Sequence, residues 1–310
     1  MFMNVLITGA TGLVGKAIVD ECHQNNIGVH YLTTTKSKII VSNNYKGFYW
    51  NPEKSEIDLN CFKDISAIIN LAGASISKRW TPSYKKTILS SRINSLKTLQ
   101  EGLSKVDSSN IKSFVSASAI GIYPNSLNKL YEEDDEINAS DFLSEVVKSW
   151  EKEVNTFKKF NFSVAKIRIG IVMSNKGGAL PQMVRPINYY LGSPLGSGKQ
   201  WQSWIHIKDL ARMFLFVIEN ELKGVYNGVS SNPVTNEKLT VKIADLLGKS
   251  LILPNVPAPV LKFILGEMAV LVLSSQRVSN KKISGEGFIF DFQNVCPALK
   301  SFYGKDDTTI

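Results

Sequence analysis

The sequence predicts an α/β protein: a doubly wound parallel sheet with a smaller, interleaved C-terminal α/β lobe. Three observations carry that prediction. Short, β-branched-rich runs alternate with helix-like segments from the first residues to about residue 169. A glycine-rich turn joins the first run directly to the first helix. After Gly170 the texture changes, and glycine and proline punctuate the chain.

Along the chain, residues 4–8 form a short apolar strand, as a central parallel strand requires. Residues 16–25 read as a helix and 29–33 as a second strand. The alternation continues with a strand at 67–71, a long helix at 82–103 and a strand at 112–116. A helix at 142–160 and a strand at 163–169 complete it. Alternating strands and helices close into one sheet with right-handed crossovers. Gly177, Gly178, Pro181, Pro186, Gly192, Pro194, Gly196 and Gly198 predict a loop-rich insertion over about 175–205. Asp209 is placed as the cap of an apolar helix at 210–219, and 225–227 as a strand. The apolar stretch 260–273 carries Lys262 and Glu267 and is too short to span a bilayer, so it reads as a buried helix. The expected division is a sheet domain over 1–230 and a small C-terminal domain over 231–310.

Bulk composition excludes several classes. Apolar residues make up 44% and charged residues 20% of 310, a folding rather than a disordered composition. The net charge is +9, yet no run of five or more basic residues occurs. A lysine-rich solvated surface is favoured over a nucleic-acid or membrane contact. Cys22, Cys61 and Cys296 show no paired spacing, which fits a reducing cytosol. With His23, His30 and His206 they form no metal-ligand spacing, and no metal is expected. No signal peptide is expected, because Val5-Leu6-Ile7 leads straight into the glycine turn. The expected partner is a small-molecule substrate, with neither nucleic acid nor membrane, in the cytoplasm.

That turn reads Gly9-Ala10-Thr11-Gly12-Leu13-Val14-Gly15. A pyrophosphate needs bare backbone N–H groups and a helix N-terminus close by. Gly9 permits the tight turn, Gly12 the close approach of the phosphates, and Gly15 close packing of helix on strand. The spacing is G-x-x-G-x-x-G, inside a strand–helix–strand unit of the length a dinucleotide fingerprint needs. The fold is therefore Rossmann-type, and the ligand a nicotinamide dinucleotide. NAD selectivity rests on an acid at the end of the second strand. Here that segment reads Leu32-Thr33-Thr34-Thr35-Lys36-Ser37-Lys38, with no acid. Its hydroxyls and lysines favour the 2′-phosphate of NADP. The alternative is a merely solvated loop.

With Asn70-Leu71-Ala72-Gly73 and Ser116-Ala117-Ser118, the glycine turn resembles that of the extended short-chain dehydrogenase/reductases. More closely, the chain resembles an atypical branch, the epimerase-family proteins of the 39U, cell-division-inhibitor-like, subfamily. Strings typical of that branch run along nearly the whole chain. They include Arg79-Trp80-Thr81, Ser91-Arg92-Ile93, Asp141-Phe142-Leu143, Gly177-Gly178-Ala179-Leu180-Pro181 and Gly196-Ser197-Gly198. Trp204-Ile205-His206-Ile207, Asn232-Pro233-Val234, Gly266-Glu267-Met268-Ala269 and Ser275-Gln276-Arg277-Val278 continue the series.

The resemblance implies NADP binding and a family-specific C-terminal domain from about Asn255 onward. It implies that Thr33 and Thr34 read the adenosine ribose and 2′-phosphate. The family more often has Arg at the position of Thr34, and Lys36 is the candidate substitute. Leu71, Ala72 and Gly73 are implied to line the cofactor after the third strand. Thr87 and Arg92 fall in segments the family associates with the cofactor, and Val172 is implied to lie near the nicotinamide.

The same family uses a Tyr-x-x-x-Lys pair to move a proton, with a Ser polarising the substrate oxygen. Ser118 fits the Ser role. Aligned by the helix that ends near Glu151, the Tyr and Lys positions hold Leu143 and Val147, which cannot transfer a proton. Tyr123 is the candidate replacement, against the reading of a packed aromatic. Glu145 and Lys148 are read as a surface pair more readily than as an acid/base pair. His206 is read as structural ahead of a general base. Trp80, Trp201 and Trp204 either stack on a ligand ring or fill the lobe interface. Two functions stand: an NADP-dependent oxidoreductase or epimerase on a small polar metabolite or nucleotide sugar, and a non-catalytic NADP-binding sensor or interaction protein.

Overall fold

In the computed structural model, residues 3–304 are described. The chain opens with β1 (Asn4–Thr8), α1 (Leu13–Gln24), β2 (Gly28–Thr33), β3 (Val41–Ser42), β4 (Tyr45–Asn51) and β5 (Glu56–Ile57). Then come β6 (Ala67–Asn70), α2 (Pro82–Leu103), β7 (Ser113–Ala119), β8 (Leu130–Tyr131), α3 (Phe142–Asn155) and β9 (Ser163–Ile169). Next are β10 (Ile171–Met173), α4 (Ala179–Asn188), β11 (Trp201–Gln202), β12 (Trp204–His206), α5 (Ile207–Glu219) and β13 (Gly224–Gly228). The chain closes with β14 (Val234–Thr235), α6 (Asn236–Leu246), α7 (Ala258–Leu265), α8 (Val270–Leu273), β15 (Arg277–Val278), α9 (Lys281–Gly285) and α10 (Val295–Tyr303).

The main sheet runs β13-β9-β7-β6-β1-β2-β4-β3, with β5 paired to β4 off that path. The β1/β2, β1/β6, β2/β4 and β6/β7 pairs are parallel. The order turns back between β1 and β6. That topological switch point is where open α/β sheets bind ligands, at the carboxyl ends of the strands. The central strands are apolar because both faces are covered: Val5, Leu6, Ile7, Ile68 and Ile69 are fully buried. The fold class is thus a mostly parallel doubly wound α/β sheet, as the alternating pattern predicts.

Two compact units emerge. One holds the chain up to Ile122, Ser140–Arg168 and Leu210–Tyr226. The other holds Tyr123–Ala139, Ile169–Asp209 and the chain from Asn227 onward. In the second, Leu180, Val184 and Ile187 of α4, Leu239 and Ile243 of α6, and Ala298 and Leu299 of α10 share a core with Trp204.

Several boundaries depart from expectation. α1 begins at Leu13, not residue 16, because the glycine turn itself supplies the first helical turn. The strand expected to end at Ser116 runs to Ala119, so Ser118 lies inside β7. α3 stops at Asn155 and gives way to a tighter 3₁₀ turn, Thr156–Lys159. The stretch expected to be loop-rich contains α4. Pro181 sits in its first turn, where no N–H partner is missed, and Pro186 lies in its last turn.

Asp209 does not cap α5: the helix starts at Ile207 and encloses it. Its carboxylate instead accepts the N–H groups of Asp291 and Phe292, each at 2.9 Å. Residues 260–273 are not one buried helix. Gly266 at φ +59 separates α7 from α8, and Phe263 is 91% exposed. β4 escaped the sequence reading, because Tyr45-Lys46-Gly47-Phe48 mixes charge and glycine into a strand.

Candidate cofactor-binding site

The glycine turn spans the gap between Thr8 and Leu13. Gly9 takes φ +72, and a Cβ there would press on the Leu71 backbone at 3.1 Å. Gly12 donates its N–H to the Gly9 carbonyl at 3.0 Å and precedes the helix with no side-chain cap. The first-turn N–H groups of α1 are therefore left to an anion. A Cβ on Gly15 would overlap the Gly9 carbonyl oxygen and lie 2.7 Å from Ala10 Cα. Gly9 and Gly15 thus meet backbone contacts that only glycine allows. Thr11 and Gly12 are exposed, while Leu13 and Val14 are half-buried.

Beneath this turn the strand ends are tied together by side chains. Thr8 Oγ1 donates to Asn70 Oδ1 at 2.8 Å and accepts the N–H groups of Leu71 and Ala72 at 3.0 and 3.1 Å. Asn70 Nδ2 donates to Ser116 Oγ at 3.0 Å. Thr8, Asn70 and Ser116 are fully buried, so each link is made away from water. The sequence signal was Asn70 itself, a polar residue ending an otherwise apolar strand. Leu71 and Ala72 are half-buried and Gly73 is exposed.

At the end of β2, Thr33 is buried and its hydroxyl accepts the Thr35 N–H at 3.2 Å. Thr34 and Lys36 are exposed. The Lys36 ammonium lies 5.0 Å from the ring centre of Tyr49 on β4. Sequence reasoning missed that platform because it missed the strand. The α2 residues differ from one another. Thr87 is exposed and its hydroxyl donates to the Ser83 carbonyl at 3.2 Å. Arg92 Nη1 donates to the carbonyls of Ala74 (3.2 Å) and Ile88 (2.8 Å), and its guanidinium lies 5.0 Å from the Trp150 ring centre. Its guanidinium also lines Gly73, where a Cβ would stand 3.1 Å from Arg92 Cζ. Burial lowers its pKa to about 10, so it stays cationic at neutral pH. No carboxylate pairs with it among the described residues. Val172 belongs to the second unit, on β10, opposite Ile205 of β12.

The catalytic candidates face inward. Ser118 is buried, and its hydroxyl donates to Glu151 Oε1 at 2.6 Å. A serine has one hydroxyl proton, so this Ser118 can accept a further hydrogen bond but has no proton left to polarise a carbonyl. Glu151 in turn holds Arg168 by two bonds, Nε to Oε1 at 2.8 Å and Nη2 to Oε2 at 3.1 Å. Lys166 Nζ lies 3.5 Å from Glu151 Oε2 and donates to Asn155 Oδ1 at 3.0 Å. Burial raises the Glu151 pKa, but Arg168, Lys166 and Ser118 outweigh it and hold the carboxyl below its usual range. Burial lowers the Lys166 pKa, and Glu151 recovers part of the loss. This buried network was not read from the sequence, since its members lie on three separate elements.

Tyr123 is fully buried, donates to Asn227 Oδ1 at 2.8 Å and stacks on Tyr131. That is a packed aromatic. Leu143 is half-buried near Gly121, and Val147 is 3% exposed. Glu145 and Lys148 form an exposed pair at 3.3 Å. His206 is stacked between Phe292 and Phe302, and its Nδ1 accepts the Lys208 N–H at 3.1 Å. Burial first, then Lys208, lowers its pKa to about 4, so the ring is neutral at pH 7. The indole N–H groups of Trp80, Trp201 and Trp204 each bind a backbone carbonyl, of Ile76, Leu127 and Asn232. Trp80 and Trp204 are buried, whereas Trp201 is half-buried with the Arg277 guanidinium 4.7 Å from its ring centre.

The family model described as the NAD dependent epimerase/dehydratase family matches residues 5–228. The chain belongs to this family. A second model, a domain of unknown function designated DUF1731, matches residues 256–302, close to the boundary implied by the resemblance. An epimerase family protein of Staphylococcus aureus (strain MRSA252) is 39% identical over 304 residues, covering 97% of this chain and 99% of the relative. Among solved structures, the human epimerase family protein SDR39U1 (isoform 2) with NADPH superposes with a TM-score of 0.85. It is 26% identical and covers 98% of this chain and 100% of the human one. A nucleoside-diphosphate sugar epimerase from Corynebacterium glutamicum gives 0.78 at 25% identity, covering 98% of this chain and 59% of that one. This epimerase family member accordingly fits the atypical 39U branch named from its sequence strings. No helix among the described residues is long and apolar enough to cross a membrane.

Proposed function

We propose that the chain binds NADP(H) on its glycine turn and acts as an oxidoreductase or epimerase on a small polar metabolite, nucleotide sugars included. One observation carries the reading: the bare turn of Gly9 and Gly12 stands beside an acid-free β2 end with exposed Thr34 and Lys36. The turn receives the pyrophosphate, because its N–H groups and the α1 dipole favour an anion. Lys36 pairs with the 2′-phosphate, held by the Tyr49 ring. Arg92 adds a positive charge beneath Gly73. When bound, the nicotinamide supplies hydride transfer. The human relative with NADPH supports the choice of NADP.

A second reading, a non-catalytic NADP-binding protein, is favoured by the apolar Leu143 and Val147 and by the engaged Ser118 proton. One experiment separates the two. NADPH binding is followed by fluorescence, and hydride exchange from labelled NADPH is then screened over carbonyl and nucleotide-sugar substrates. Exchange with any substrate establishes the enzyme; binding without exchange favours the second reading. Tight NADH binding with no NADPH binding overturns the cofactor assignment.

A further inference from the structure

The second unit contains an open groove with about 670 Å³ of accessible space that the cofactor reading does not use. One wall is the 195–200 segment, the other the α7–α8 region. Gln200, 3% exposed, joins the two walls by donating both amide hydrogens, to the Leu195 carbonyl at 2.9 Å and the Val272 carbonyl at 3.0 Å. The bond to Val272 is the one of the two that crosses between the walls.

The lining divides by chemistry. Ala258, Ala269, Val270 and Leu273 give an apolar surface. Asn125, Ser197 and Ser274 give polar groups. Asn125 uses its oxygen to accept the Ser275 N–H at 2.7 Å, which leaves its amide hydrogens for a ligand. Ser197 Oγ accepts the Lys199 N–H at 3.2 Å, which leaves its own proton to donate. Lys262 supplies the cation of the lining and Glu267 a carboxylate, and both are exposed at the groove's rim, as are Asn125 and Ser197. No carboxylate lies within ion-pair reach of Lys262 among the described residues.

This balance selects the ligand's charge. A diphosphate asks for clustered cations or bidentate arginines. Here one lysine is opposed by one glutamate and no arginine lines the groove. A single carboxylate satisfies Lys262 with one charge-assisted bond, and the apolar wall takes its body. We propose that this groove binds a small organic monoanion, a carboxylate with an apolar body, anchored by Lys262 with donors from Asn125 and Ser197. The site is built wholly within the second unit and does not rest on the NADP reading.

The test titrates the full chain, without nicotinamide cofactor, with octanoate in a calorimeter. Octanamide and UDP serve as the neutral and the diphosphate comparisons. Octanoate is expected to bind, with octanamide and UDP each weaker by roughly tenfold. Lys262→Gln should lower octanoate affinity by roughly tenfold, and Lys262→Arg should restore most of it. Phe263→Ser, on the exposed side of the same helix, should leave it unchanged, which separates the groove from adsorption to surface apolar groups. No octanoate binding, equal binding to the Lys262→Gln variant, loss with Phe263→Ser, or tighter UDP binding would each overturn the proposal. Because no dinucleotide enters the assay, failure here leaves the NADP reading to its own experiment.

Discussion

At the scale of single residues, glycine does what no other side chain can do at the turn. Gly15→Ala would place a methyl group against the Gly9 carbonyl and Ala10, backbone on both sides. We expect a loss of about 1–3 kcal/mol in urea-denaturation stability, the usual cost of overpacking, together with weakened NADPH binding. Lys36 makes the opposite kind of contribution, since it is exposed and its ammonium rests over Tyr49. Lys36→Ala should leave stability within about 0.5 kcal/mol. It should weaken NADPH binding by roughly tenfold while NADH binding holds, as measured by paired fluorescence titrations. Equal weakening of both cofactors would remove Lys36 from phosphate recognition. His206 carries a pH dependence. Its folded pKa, about 4, lies below the ordinary 6.5, so unfolded chains take up its proton first as pH falls. Its contribution is complete above pH 6.5 and is lost as pH falls toward about 4. Urea midpoints should decline across that window, and His206→Phe should flatten the decline.

At the scale of elements, the Glu151 network joins α3, β7 and β9 through one carboxylate. Removing the charge strands Arg168 and Lys166 in the interior, both nearly inaccessible. Glu151→Gln should therefore cost about 3–5 kcal/mol, read by urea denaturation, whereas Ser118→Ala should cost only about 1 kcal/mol. Comparable losses would show that Ser118, rather than the ion pair, holds the elements. The same helix explains why the Tyr and Lys pair cannot simply be restored. Val147 is 3% exposed, so Val147→Lys would bury an ammonium beside apolar neighbours. The expected result is a destabilised chain, visible as a lower thermal midpoint, and no gain in hydride transfer.

At the scale of the molecule, what the sequence revealed was whatever depends on local order. The alternation of strands and helices, the bounds of α2 and β9, and the glycine turn all arise from periodicity or from residues adjacent in the chain. What it concealed depends on distant residues meeting. β4 hides its pattern under Lys46 and Gly47 because its register is set by β2. The Ser118–Glu151–Arg168 cluster has no spacing to find. Asp209 resembles a cap until its true partners, Asp291 and Phe292, arrive from 82 and 83 residues away. The side-chain ties beneath the glycine turn belong to this second class. Thr8 meets Asn70 across 62 residues, and Asn70 meets Ser116 across 46. Contacts so distant in sequence each carry a loop-closure cost. The glycine turn is local in sequence, whereas the floor under it exists only where β1, β6 and β7 have paired. Any ligand that needs both will bind only after the sheet has closed, and its concentration will set how far unfolding is postponed on heating.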